Sequence, residues 1–156
     1  MKLYETEGIG RYIGHFHRLG AAYLTKEYEK YGIGVGQYQF LILLYLKDGI
    51  SHDELTEKAA VDKANTTRAI KKLELEGYVR LEPDHSDKRK YKIYLTERAL
   101  KIKDDLLKIS FGWEQRLLEP LTSEELDSLF FILRKIARNQ PGYFFKEEEK
   151  EEEDNN

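Results

Sequence analysis

The chain contains no cysteine, which excludes a disulfide framework and a thiol redox switch. Methionine occurs once, as Met1, and proline three times. No apolar run approaches the roughly 20 residues a membrane helix needs. Residues 1–10 carry Glu5 and Glu7 and no apolar stretch, so no signal peptide is visible. A cytoplasmic protein with no membrane partner is expected. Catalytic signatures are absent too. Ser51, Ser86, Ser110, Ser123 and Ser128 lack the glycine-rich elbow of a nucleophile. Gly32, Gly34 and Gly36 lack the strand-to-helix setting of a phosphate loop. Neither an enzyme nor a bound cofactor is expected.

What is present is unevenly spread. The 156 residues suffice for a core of their own and carry a formal net charge of -3. Residues 58–103 hold 13 Lys and Arg against 7 Asp and Glu, whereas residues 143–156 hold 2 against 7. A basic middle is therefore hidden by an acidic tail, and the local field governs attraction to a polyanion. The tail is a like-charge run and is expected to be disordered over residues 143–156.

Apolar spacing gives the organisation. Ile9, Tyr12, Ile13, Phe16, Leu19 and Tyr23 predict a first helix over residues 8–30. A glycine-rich break follows. Residues 37–47 predict a second helix, apolar almost all round and hence buried. Ile50 is expected to add a short strand. Ser51 and Glu54 have capping-box spacing for a third helix, with Leu55, Ala59 and Ala60 as its apolar face. Asp62 caps a fourth, which stops at Gly77. On that helix Thr66, Ile70, Leu73 and Gly77 fall on one side. Asn65, Arg68 and Lys72 fall on the other, with Ala64 and Lys71 beside them.

Next come two β-prone runs, residues 78–81 and 91–95, around a tip with Pro83, Asp84, His85, Ser86 and Asp87. Lys88, Arg89, Lys90 and Lys92 crowd that tip. A cationic hairpin suits a nucleic-acid groove, because phosphates line both walls. Arg and Asn can each make two hydrogen bonds to a base edge. A solvated helix face and hairpin are the plain alternative, but two short helices leading into a cationic hairpin form a rarer combination. Thr96 then caps a long helix expected to reach Glu119, where Pro120 interrupts it. Thr122 and Glu125 form a capping box for the last helix, which carries Leu126, Leu129, Phe130, Leu133 and Ile136.

Residues 51–96 resemble the winged helix-turn-helix of the MarR family of transcription regulators. The wing carries the strongest likeness: Asp87-Lys88-Arg89 fits the family's Asp-x-Arg, and the strand after it ends in Leu95-Thr96. DKANTTRAIKKLELEGYV, residues 62–79, is similar to the family's recognition helix with its Thr-Arg pair, here Thr67-Arg68. LTSEELDSLFFILRKI, residues 121–136, is like its last helix. The chain departs in having Gly34 where a Thr cap is frequent and Ala99 where Gly is frequent.

The resemblance implies a mainly α fold with a small β wing and N- and C-terminal dimerisation helices. The expected parts are a dimerisation helix over 1–36, a DNA-binding domain over 37–96, dimerisation helices over 97–142 and the tail. A homodimer on a pseudo-palindromic operator is implied, with repression the expected action. Lys63, Lys71, Lys88 and Lys90 are expected on phosphates, Asn65, Thr67 and Arg68 on bases, and Lys72 on the same face. Arg89 would enter the minor groove, oriented by Asp87 two residues earlier on an extended strand. A small aromatic or anionic effector is implied, with Arg11, His15, Arg18 and Tyr38 as candidate lining. The rivals are a metal-responsive regulator, using His15 with Glu27 or His52, and a winged protein-interaction module. His15 and His17, two apart on a helix, do not share a face, and no metal site is assigned.

Overall fold

The computed structural model describes residues 8–140. The expected acidic tail lies outside them. The described residues form α1 (Ile9–Glu29), α2 (Val35–Leu46), β1 (Ile50–Ser51), α3 (His52–Ala59), α4 (Lys63–Leu75), β2 (Val79–Pro83), β3 (Tyr91–Leu95), α5 (Glu97–Lys101), α6 (Lys103–Leu118) and α7 (Ser123–Arg138). They divide into two compact units, one ending at Glu114 and one beginning at Gln115.

The first unit holds the core. Phe40, Leu41 and Leu44 of α2 meet Leu55 of α3 and Ala69, Ile70 and Leu73 of α4, all buried. Val79, Ile93 and Leu95 close it from the sheet and Leu24 and Tyr28 from α1. The sheet is antiparallel in the order β1-β3-β2, with Ile50 opposite Ile93 and Leu81 opposite Ile93 on the other side. Ile50 adds its short strand where expected. Alternation puts Ile93 and Leu95 inward and leaves Lys92 and Tyr94 on the outer face, opposite Glu82 and Arg80. Lys92 therefore belongs to the middle of the sheet and not to the tip.

Local chemistry sets most helix starts. The Asp62 carboxylate accepts from the Asn65 amide at 2.7 Å, and Thr96 and Thr122 cap α5 and α7. At α2 no side chain caps from Gly34; Gln37 instead accepts from the Gly34 amide at 3.0 Å. The expected box at α3 is only half made. Ser51 accepts from the Glu54 amide at 3.1 Å, but the Glu54 carboxylate pairs with Lys47 at 2.8 Å. A charged partner from α2's end outcompetes the backbone amide for that carboxylate.

Two other expectations are corrected. Ala60 is not on an apolar helix face; it is exposed and left-handed, at φ 53°, and ends α3. The single long helix after the wing is two, α5 and α6, divided at Ile102. The Tyr45 hydroxyl donates to the Ala99 carbonyl at 2.6 Å, the acceptor that a continuous helix would offer to the Lys103 amide.

The end of α4 is fixed by Gly77, at φ 77°. The Gly77 amide donates to the Glu74 carbonyl and the Tyr78 amide to the Leu73 carbonyl, both at 2.9 Å. That pair of bonds is the Schellman arrangement, and it turns the chain from α4 into β2. A side chain at 77 has room, since its Cβ would come no closer than 3.6 Å to Arg98. Gly77→Ala should therefore lose only the backbone preference, about 1–2 kcal/mol in a urea unfolding curve. A loss within error would show that the left-handed turn carries no strain for alanine.

The second unit contains the end of α6 and α7. The capping box of Thr122 and Glu125 is complete. No residue of α7 is buried, although Phe130, Phe131, Ile132, Leu133 and Ile136 are all large and apolar.

Candidate nucleic-acid interface

The reading face is set by how α4 packs. Thr66, Ala69, Ile70 and Leu73 are buried, so the remaining sides must face outward. Lys63, Thr67, Arg68, Lys71 and Lys72 are exposed, and Asn65 is half-buried. Among the described residues, Arg68, Lys71 and Lys88 have no ion-pair partner. Lys63 sits 3.2 Å from Asp53 of α3, and its ammonium holds the Asp53 carboxyl below the usual range. Lys72 approaches the start of α2, with Nζ 3.8 Å from the point where a side chain on Gly34 would begin.

α3 is fastened to α4 by hydroxyl groups. Thr56 donates to the fully buried Thr66 at 3.0 Å, and Thr66 donates to the Asp62 carbonyl at 3.2 Å. A buried hydroxyl without such a partner costs about 1–3 kcal/mol, so the pair fixes how the two helices meet. His52 Nε2 lies 3.0 Å from the Thr67 hydroxyl, which itself donates to the Lys63 carbonyl at 2.9 Å. Sequence reasoning misses both links. The spacing of Thr56 and Thr66 gives no signal, and His52 is an ordinary first helical residue until α4 is placed against it.

The wing tip is two aspartate turns, which corrects the expectation of an extended strand. The Asp84 carboxylate accepts from the Ser86 amide and hydroxyl, at 2.9 and 2.7 Å. Residues 87–90 form a β-turn closed by the Lys90 amide on the Asp87 carbonyl at 2.9 Å. The Asp87 carboxylate accepts from the Arg89 amide at 3.1 Å, from Nε at 3.2 Å and from the terminal nitrogen at 3.4 Å. Those bonds hold the Asp87 carboxyl below its ordinary range. Arg89 is aimed by a turn-forming aspartate, while its side chain stays 91% exposed. Lys88 and Lys90 are exposed on either side; His85 is exposed too.

The candidate effector residues are only partly gathered. Arg11, His15 and Arg18 recur at helical spacing and are exposed on α1. Tyr38 packs on Tyr28, ring centroids 5.1 Å apart, roughly 15 Å further along α1 than Arg18. Burial, and then Glu114, raise the Tyr38 hydroxyl above its ordinary pKa. None of the four lines the cleft of about 510 Å³ in the first unit, where Ile42, Leu107 and Phe111 meet Asp104, Lys108 and Glu114. Among the described residues no group of three or more His, Asp or Glu side chains comes together as a metal site. No helix of the described residues is long and apolar enough to cross a membrane.

Two short helices, the second with a polar outer face, and a hairpin with a cationic tip define a winged helix-turn-helix protein. The family profile of MarR matches residues 34–91. The chain is 30% identical to the uncharacterized HTH-type transcriptional regulator YybA of Bacillus subtilis over 131 residues, 84% of this chain and 87% of that one. A MarR transcriptional regulator from Methanosarcina mazei superposes with a TM-score of 0.81 at 37% identity, over 86% of this chain and 96% of that one. A MarR protein from Peptoclostridium difficile does so with 0.83 at 29% identity, over 90% and 92%. The chain belongs to the MarR family of transcriptional regulators. The family and these relatives are described as transcriptional regulators.

Proposed function

We propose that the protein is a cytoplasmic, homodimeric repressor that binds a pseudo-palindromic operator in double-stranded DNA. The observation that carries this reading is the outer face of α4, with Arg68 and Lys71 free of ion pairs among the described residues, beside an Arg89 aimed by Asp87. Asn65, Thr67 and Arg68 read base edges in the major groove. Lys63, Lys71, Lys88 and Lys90 meet phosphates, and Lys72 adds charge at the edge of the same face. Arg89 enters the flanking minor groove; its fork keeps N–H groups free for the bases while Asp87 holds the others. A protein-interaction role is disfavoured by the same cations, which a neutral partner would leave desolvated.

The dimer follows from apolar surface. Ile9, Tyr12, Ile13, Phe16 and Leu19 are exposed on α1, and the apolar side of α7 is exposed in the second unit. Patches of this kind mark association surfaces. A twofold dimer also supplies two recognition helices for half-sites about 34 Å apart. A small aromatic effector would enter the cleft between α2 and α6, its ring against Ile42, Leu107 and Phe111 and its carboxylate on Lys108. It would act by changing the separation of the two recognition helices.

Selection from genomic fragments tests the DNA reading: a recurrent palindrome supports it, and recovery of unrelated fragments contradicts it. For assembly, the protein should sediment as a dimer at micromolar concentration. A monomer at that concentration would refute the dimer.

A further inference from the structure

We propose that His52 is a positioning residue for base readout. Together with the Lys63 carbonyl it holds the Thr67 hydroxyl, so that Thr67 faces the groove as an acceptor and a methyl group, never as a donor. The contacted base is then adenine, cytosine or the methyl of thymine, and not guanine. This rests on the DNA-reading proposal above and names the specificity of one position within it.

A threonine hydroxyl has one proton and two acceptor sites. The Thr67 hydroxyl lies 2.9 Å from the Lys63 carbonyl, which can only accept, and 3.0 Å from His52 Nε2. With the proton on Nε2, His52 donates to Thr67 and Thr67 donates to Lys63. With the proton on Nδ1, Thr67 donates to Nε2 instead. In both tautomers the threonine proton is engaged inside the protein. Only an acceptor site and the methyl remain for the groove.

The imidazole is itself held. It opens α3 directly after the Ser51 cap, and Nδ1 is 3.5 Å from the Thr56 hydroxyl, the group that ties α3 to the buried Thr66. Its charged neighbours are Asp53 on its own helix and Lys63 on α4. Burial, then the Lys63 ammonium, lower its pKa below the ordinary value, with Asp53 acting in the opposite sense. The ring is therefore neutral at neutral pH.

The major-groove code supplies the consequence. Adenine and cytosine each present an exocyclic amino donor, and thymine presents a methyl. Guanine presents only the acceptors O6 and N7, which need a donor. An acceptor-only threonine meets guanine with two like dipoles and no bond.

The experiment is binding selection from randomised duplexes by the full-length protein and four variants, with affinities then measured on sites differing at the Thr67 position. The variants are His52→Ala, His52→Gln, Thr67→Val and the double variant of His52→Ala with Thr67→Val. Wild type should exclude guanine at one position in each half-site. His52→Ala leaves the Thr67 proton to the Lys63 carbonyl alone and frees the hydroxyl to turn it towards the groove, so that position should relax, with affinity for the guanine site rising about five- to tenfold relative to the others, the scale of one hydrogen bond. The salt dependence and the preferences elsewhere should not move. His52→Gln, whose amide nitrogen can stand near the place of Nε2, should restore the exclusion. In a Thr67→Val background, His52→Ala should change nothing further. A merely structural histidine would shift the melting temperature or all positions together, and glutamine would not rescue one base preference. Unchanged guanine exclusion in His52→Ala overturns the proposal, as does Thr67→Val leaving every position unaltered. A wild-type protein that selects no sequence overturns the DNA reading itself, and that result appears before any variant is compared.

Discussion

Arg68→Ala is expected to weaken binding to the selected operator by about 1–3 kcal/mol and to relax sequence preference at the base it contacts. The side chain is exposed on the outer face of α4, directly after Thr67, so its loss opens no cavity and the melting temperature should hold. Lys90→Ala is the contrast. Lys90 follows Arg89 at the wing tip and carries a point charge, so it should weaken all sequences alike and lower the salt slope by about one. Equal loss of sequence preference in both variants would contradict the division between reading and anchoring.

The larger effect on folding should come from Leu73→Ala. Leu73 is 1% exposed in the core that α4 shares with α2, and its carbonyl accepts the Tyr78 amide that closes the turn after α4. Removing three carbons from such a site costs about 2–5 kcal/mol, the lost transfer energy plus the cavity. Leu75, two residues on, is 79% exposed, and Leu75→Ala should stay within about 0.5 kcal/mol. Both are read by urea unfolding at one protein concentration, since association shifts apparent stability. Similar losses at 73 and 75 would mean that α4 is rotated from the face assigned to it, and the readers Thr67 and Arg68 with it.

The orientation of α4 is legible in the amino-acid sequence because it rests on local signals. Asp62 at the start, Gly77 at the end and the apolar spacing of Thr66, Ile70 and Leu73 fix which side of α4 is buried. Thr96 and the Thr122–Glu125 box are legible for the same reason: a side chain bonds a backbone amide three residues away. Sequence reasoning fails where a residue distant along the chain decides. Glu54 is drawn from its expected box by Lys47, and the helix after the wing breaks where Tyr45 reaches Ala99. Ala60 is left-handed with no glycine to announce it. Spacing alone predicts the pairing of Asp87 with Arg89 but assigns it the wrong cause; an aspartate turn, not strand alternation, brings them together. The His52–Thr67 and Thr56–Thr66 links join two helices and leave no periodic trace.

The most direct test is a hydroxyl-radical footprint of the full-length protein on its selected site, with wild type and Arg89→Ala side by side. Two protected half-sites should appear with centres about 10 base pairs apart, one per recognition helix. Outside them, flanking minor-groove protections should appear, strongest on A·T-rich flanks. Arg89→Ala should keep the inner protections and lose the outer ones, because the exposed tip residue leaves α4 and its packing untouched. Outer protections that persist without Arg89, or a single protected half-site, would contradict a dimer that reads with α4 and grips with its wing.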